Sequence, residues 1–199
     1  MDTQDPKTEQ IKLTILDAAE SRFRTFGYTK TTLAEVAESA GMSAANMYRF
    51  YENKLDIAAA VARRLLDQRE AALAQDLEHA PLPCAERLQR YVLAGLRFDR
   101  ALSKDSAPLA ALLEKVQEER KDLAVAHRKA KQSMLTALAE AGIAAREFAP
   151  GDAYQIAQTI RAATVLFDTP QLNRHYPANE LERLAQSVVA LILDGLRGA

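Results

Sequence analysis

Only Gly41 and Met42 stand between the end of one short amphipathic pattern at Ala40 and Ser43, a residue suited to start the next. So tight a join leaves the chain few options. A glycine supplies positive φ, the small Ala40 lets two helices approach closely, Met42 fills the space beneath, and Ser43 accepts from a free backbone N–H of the helix that follows. Upstream, Thr32 and Glu35 form the T-x-x-E pattern of a capping box, with Leu33, Val36, Ala37 and Ala40 facing inward. Further upstream, Ile11, Ile15, Ala18, Ala19, Phe23 and Phe26 share one face of a helix that Gly27 is placed to end. Short helices joined in this way, the last from Ser43 through Tyr51, describe a tri-helical helix-turn-helix.

The remainder obeys the same local rules. Ala and Leu dominate the apolar content, and 199 residues hold only seven Gly and seven Pro, so helix propensity is high throughout. No stretch alternates as a strand would. A fourth helix starts at Asn53 as cap, carries Ile57, Val61 and Leu65 inward and runs towards His79, before a break at Pro81 and Pro83. Further helices are expected over 84–102, 107–118, 120–141, 151–168 and 178–197. The predicted fold is all-α with about nine helices. Residues 1–52 form its helix-turn-helix domain, 53–199 a helical body, and the helix over 53–79 links them.

Charge and composition exclude several classes. The formal net charge is −1, and within residues 1–60 seven Lys/Arg face nine Asp/Glu. Bulk charge therefore opposes nucleic acid, and any such role depends on how the charges are distributed. Cys84 alone cannot close an internal disulfide, which fits the cytoplasm. Met1 to Glu9 is polar and acidic, unlike a secretory signal, and no apolar run reaches the roughly 20 residues of a membrane span. His79, His127 and His175 lack partners at metal-ligand spacing, so no metal is expected. Without a phosphate loop, a G-x-S-x-G elbow or a nucleophile beside a base, neither a cofactor nor enzymatic activity is expected. The run from Glu118 to Asp122, and His127, Arg128, Lys129 and Lys131, read as solvated mixed-charge surface.

From Gly27 to Ile57 the chain reads G-Y-T-K-T-T-L-A-E-V-A-E-S-A-G-M-S-A-A-N-M-Y-R-F-Y-E-N-K-L-D-I. This stretch resembles the N-terminal signature of the TetR family of repressors. Gly27, Thr31, Thr32, Val36, Ala37, Ala40, Gly41, Ser43, Tyr48 and Lys54 stand at characteristic positions. The match departs at Ala45, where Gly is common, at Phe50, where His is frequent, and at Tyr51, where Phe is usual. The resemblance implies a homodimer that binds a pseudo-palindromic double-stranded operator and is released by a small-molecule effector.

On that reading Met47 and Tyr51 pack inward, and Ser43, Ala44, Ala45, Asn46, Tyr48 and Arg49 lie towards the groove. Arg49 suits either a guanine or a phosphate, Asn46 an adenine, and the alanines thymine methyls. Thr31, Thr32 and Lys54, at helix starts, suit phosphates. Tyr48 resembles the family tyrosine that reaches the DNA backbone. The last two helices are expected to pair across a twofold axis through Ile156, Ile160, Ala163, Phe167, Leu184, Val188, Leu191 and Ile192. Tyr91, Phe98, His127, Met134, Gln155 and Thr159 are the expected effector walls. The rival reading is a helical homodimer that binds a small molecule or protein through its body and does not read DNA.

Overall fold

Local chemistry sets the helix boundaries, and the computed structural model, which describes residues 6–78 and 82–198, shows where each lies. The α-helices are α1 Pro6–Lys30, α2 Leu33–Ser39, α3 Ala44–Met47, α4 Lys54–Glu78, α5 Cys84–Asp105, α6 Ala107–Glu119, α7 Lys121–Ala144, α8 Ala153–Ala163, α9 Pro170–Asn173 and α10 Ala178–Arg197. The described residues form no strand. The all-α class holds, with ten α-helices among the described residues against about nine predicted for the chain. His79 and Pro81 lie outside the described residues.

The difference arises between 151 and 177. α8 stops at Thr164, whose hydroxyl donates to the Ile160 carbonyl at 2.8 Å, and the chain tightens into a 3-10 turn over Val165–Asp168. Pro170 then opens the one-turn α9, since proline needs no donor at the first helical position. Gly27 also departs in detail. Its φ of 79° is positive as expected, but its ψ of 165° is extended, so α1 kinks there and adds one more turn to Lys30.

The chain forms two compact units. In the first, described residues 6–66 with 102–124, α1 packs on α6 and α2, and α2 on α3. Its core joins Ile15, Ala19 and Phe23 of α1 to Val36 and Ala37 of α2, Met47 of α3, Ile57 and Val61 of α4, and Leu109, Leu112 and Val116 of α6. Burying several such side chains, at about 1.5–3 kcal/mol each, is what holds helices as short as α2 and α3 in place.

The second unit comprises described residues within 67–101 and 125–198. Its core gathers Leu73, Leu88, Leu96, Leu135, Leu138 and Phe148 with Ile160, Phe167, Leu181, Ala185 and Val189. Phe148 lies so close to Gly142 that a Cβ there would sit 2.2 Å from its ring. Among the described residues no helix is long and apolar enough to cross a membrane.

Candidate nucleic-acid interface and effector site

In the first unit the turn forms as its residues dictate. Gly41 takes φ +68°. Thr32 caps α2 by accepting from the Glu35 N–H at 3.3 Å, while the Glu35 carboxylate accepts from the Thr32 backbone N–H and from its hydroxyl, both at 2.8 Å. Those two donors, with Arg22 at 2.9 Å, hold the Glu35 carboxyl below its ordinary range. Ser43 caps α3 by accepting from the Asn46 N–H at 3.2 Å, and Asn53 accepts from the Asp56 N–H at 3.0 Å as α4 begins.

Helix α3 ends at Met47, short of the expected Tyr51, and inward and outward side chains separate along it and the turn that follows. Met47 is fully buried and Tyr51 packs half-buried on the same core. Ser43, Ala45, Tyr48 and Arg49 stand in solvent, with Ala44 and Asn46 half-exposed. Tyr48 is 57% exposed.

Two residues expected at phosphates are engaged elsewhere. Thr31 is fully buried and its hydroxyl donates to the Gly27 carbonyl at 2.8 Å. The Lys54 ammonium donates to the Tyr28 carbonyl at 2.9 Å and the Thr31 carbonyl at 3.0 Å, and lies 4.2 Å over the Tyr28 ring. The carbonyls at and just beyond the end of α1 lie past the last intrahelical donors, and these side chains donate to them, Tyr28 accepting also from the Thr31 backbone N–H at 3.3 Å. Thr32 stays exposed at the start of α2.

In the second unit the expected effector walls do not all converge. Tyr91 is buried and lines a cavity, its phenol pushed up to about 12 by burial. His127, Phe98 and Met134 are half-buried. Gln155 and Thr159 are exposed, because Ala157 and Ile160 take the inward positions of α8. Of the expected dimer contacts, Ile160 and Phe167 belong to the chain's own core. Ala163, Leu184 and Leu191 are exposed, Leu191 to 73%, and Ile156, Val188 and Ile192 are half-buried. Helix α10 thus turns Leu181, Ala185 and Val189 inward and Leu184 and Leu191 outward, with Val188 packed at the edge of the inward core.

A buried charge cluster occupies the middle of this unit. The Arg69 guanidinium donates to both oxygens of Asp99, at 2.9 and 3.1 Å, and to Asp168 at 2.5 Å. Lys131 donates to the other oxygen of Asp168. Lys131, read from the sequence as surface, is 7% exposed, whereas Arg128 and Lys129 are in solvent. Burial and Arg69 push the Lys131 ammonium down to about 7. His127 contacts Glu70 at 2.6 Å, yet burial with Lys131 and Arg69 nearby lowers the ring to about 3, so it is neutral and donates from Nδ1.

The sequence held a signal for this cluster. Arg69 falls in the stripe Leu66, Leu73, Leu77, Asp99 in the stripe Leu88, Val92, Leu96, and Lys131 in the stripe Leu135, Leu138. A charge at a core-facing helical position needs a buried partner. Cys84 is buried and its thiol pushed up by that burial, which disfavours the reactive thiolate. Among the described residues, no group of His, Cys, Asp and Glu could hold a metal ion.

Comparison with known proteins bears on both units. The family "Bacterial regulatory proteins, tetR family" matches residues 15–61, and "Tetracyclin repressor-like, C-terminal domain" matches residues 84–189. Over 87 residues the chain is 32% identical to the uncharacterized HTH-type transcriptional regulator YhgD of Bacillus subtilis (strain 168), a match covering 44% of this chain and 45% of that protein. The chain thus spans less than half the length of this curated relative. A transcriptional regulator from Cytophaga hutchinsonii ATCC 33406 shares the fold at a TM-score of 0.71, with 20% identity over 97% of this chain and 100% of that one. The regulator FadR from Bacillus subtilis, in complex with stearoyl-CoA, does so at 0.61, with 21% identity over 92% of this chain and 98% of its own.

Proposed function

Because the chain belongs to the TetR family of transcriptional regulators, we propose that this DNA-binding protein is a homodimeric repressor, released from a pseudo-palindromic operator by a small-molecule effector in the cytoplasm. The observation that carries the reading is α3 itself. A helix capped by Ser43 and anchored by Met47 leaves Ala45, Tyr48 and Arg49 in solvent with Ala44 and Asn46 beside them. Arg49 and Asn46 are the base-reading candidates, a good bidentate pair being worth about 1–3 kcal/mol. Tyr48, Thr32 and Ser43 serve the phosphates. Thr31 and Lys54 act indirectly, by holding the end of α1 against the start of α4.

Residues 1–52 serve as the reading head and 53–199 as the body that binds the effector and dimerises. The exposed Leu184 and Leu191 of α10, with Ala163 of α8 and the half-buried Val188 beside them, support pairing across a twofold axis. Two heads bind together only if their spacing matches about 34–36 Å, one turn of DNA. Helix α4, unbroken from Lys54 to Glu78, is the element through which an effector changes that spacing. The stearoyl-CoA bound by a relative of the same fold supports a small-molecule effector.

Binding selection followed by footprinting tests the reading. A symmetric site should emerge, and Arg49→Ala with Tyr48→Ala should abolish its preference. No sequence preference at all, in a protein that still binds small molecules through its body, would establish the rival reading. Leu191→Glu should shift the protein to monomer in sedimentation and remove operator binding together with dimerisation.

A further inference from the structure

Three cations, Arg69, Lys131 and Arg161, and one carboxylate, Asp168, line a cavity of the second unit. Its other walls are mostly apolar, including Leu73, Val92, Leu135 and Phe167, with Tyr91 and Thr164 adding hydroxyl-bearing side chains. The carboxylates present are already taken. Asp99 gives both oxygens to Arg69, and Asp168 divides its two between Arg69 and Lys131. Glu70, off the cavity wall, accepts from His127. The cations are not fully used, since Nη1 of Arg69, a side chain only 3% exposed, has no hydrogen-bond partner. A buried N–H of a charged group without an acceptor is unfavourable, and an anion relieves it.

We infer that the effector is an organic anion with an apolar tail, whose charged end takes over Arg69 and Lys131 from Asp168 while its tail lies against Leu73, Leu135 and Phe167. This rests on the reading of the body as the effector unit. A cationic effector gains no free carboxylate here and meets three positive groups. Asp168 is the movable member of the cluster. Its side chain is 24% exposed, against 3% for Arg69 and 9% for Lys131, and it stands on the 3-10 turn Val165–Asp168, which no side chain caps. With Asp168 in place, the cavity volume is about 10 Å³, room for about one water. The incoming anion must therefore displace Asp168 and with it the turn, which couples binding to a change in backbone.

The test uses the full-length protein and four probes of equal chain length, decanoate, decyl phosphate, decan-1-ol and decylammonium, in calorimetry and in operator release. Decanoate or decyl phosphate should bind at least about tenfold tighter than the alcohol or the amine, as hydrogen bonds to charged groups require. Whichever anion binds tighter identifies the headgroup as carboxylate or phosphate. Asp168→Asn removes the competing carboxylate and should tighten anion binding by about tenfold, whereas Lys131→Met should weaken it by about tenfold and leave decan-1-ol unaffected. Circular dichroism of each variant establishes that it is folded.

Preference for the amine or alcohol, or weaker anion binding in a folded Asp168→Asn variant, overturns the inference. The reading it rests on fails separately. Operator release by decylammonium would sink the anion and keep ligand control. Tight anion binding with the expected response to both variants, but no effect on the operator, would keep the site and end the reading of it as an effector switch.

Discussion

Replacing Lys54 by methionine separates two roles for a residue whose position in the chain suggests DNA and whose contacts suggest the fold. The ammonium makes hydrogen bonds of 2.9 and 3.0 Å to the carbonyls of Tyr28 and Thr31 and lies 4.2 Å over the Tyr28 ring. A hydrogen bond to a charged group contributes about 1.5–3 kcal/mol, and a cation over an aromatic ring at an exposed site adds about 0.5–1 kcal/mol. Methionine keeps the apolar stem and Lys54 is only half-buried, so the loss falls at the low end, about 2–4 kcal/mol. For a chain of this length that lowers the Tm by about 4–16 °C. Thermal unfolding measures it, and the salt dependence of operator binding supplies the control. A lost phosphate contact reduces the slope of log K against log salt by about one. The expected outcome is a lower Tm with an unchanged slope. An unchanged Tm with a reduced slope would place Lys54 on a phosphate and refute the structural role.

Three further outcomes follow from the second unit. Gly142→Ala improves helix propensity by about 1 kcal/mol, but its Cβ would lie 2.2 and 2.4 Å from ring atoms of the buried Phe148. Urea unfolding should show a net loss of about 1–2 kcal/mol, partly recovered by a second change, Phe148→Leu. His127 is held neutral in the fold by burial and by Lys131 and Arg69, against the opposing pull of Glu70. The unfolded chain therefore takes up a proton below about pH 6.5 that the folded chain refuses. Stability should be intact above that pH and fall as the pH drops towards 4, with a shallower fall in His127→Gln. For the proposed anion, binding must keep Lys131 charged, although burial and Arg69 push it down to about 7 among Glu70, Asp99, Arg161, Asp168 and the neutral His127. Affinity for decanoate should decline by up to about tenfold per pH unit above 7, and Lys131→Met should remove that dependence.

Much of the reading head was legible without coordinates. The capping box of Thr32 and Glu35, the positive φ of Gly41 and the caps at Ser43 and Asn53 are settled within a few residues of chain, so the residues that form them also announce them. The helical segments of the body were legible for the same reason. The end of α8 was not, because the hydroxyl of Thr164 turns back onto the Ile160 carbonyl and the chain tightens where periodicity continues. The expected walls at Gln155 and Thr159 turned to solvent because α8 uses only its narrower apolar face inward.

By itself, then, the sequence determined the helix-turn-helix, its caps and the all-α class, since each depends on hydrogen bonds between near neighbours and on the period of apolar residues. The tertiary structure alone decided that Lys54 donates to carbonyls 23 and 26 residues away, that Ile160 and Phe167 serve the chain's own core, and that Arg69 meets Asp168 across 99 residues of chain. Whether a charge or an apolar side chain is buried, and beside what, depends on which distant segments pack against it, and no local pattern encodes that pairing.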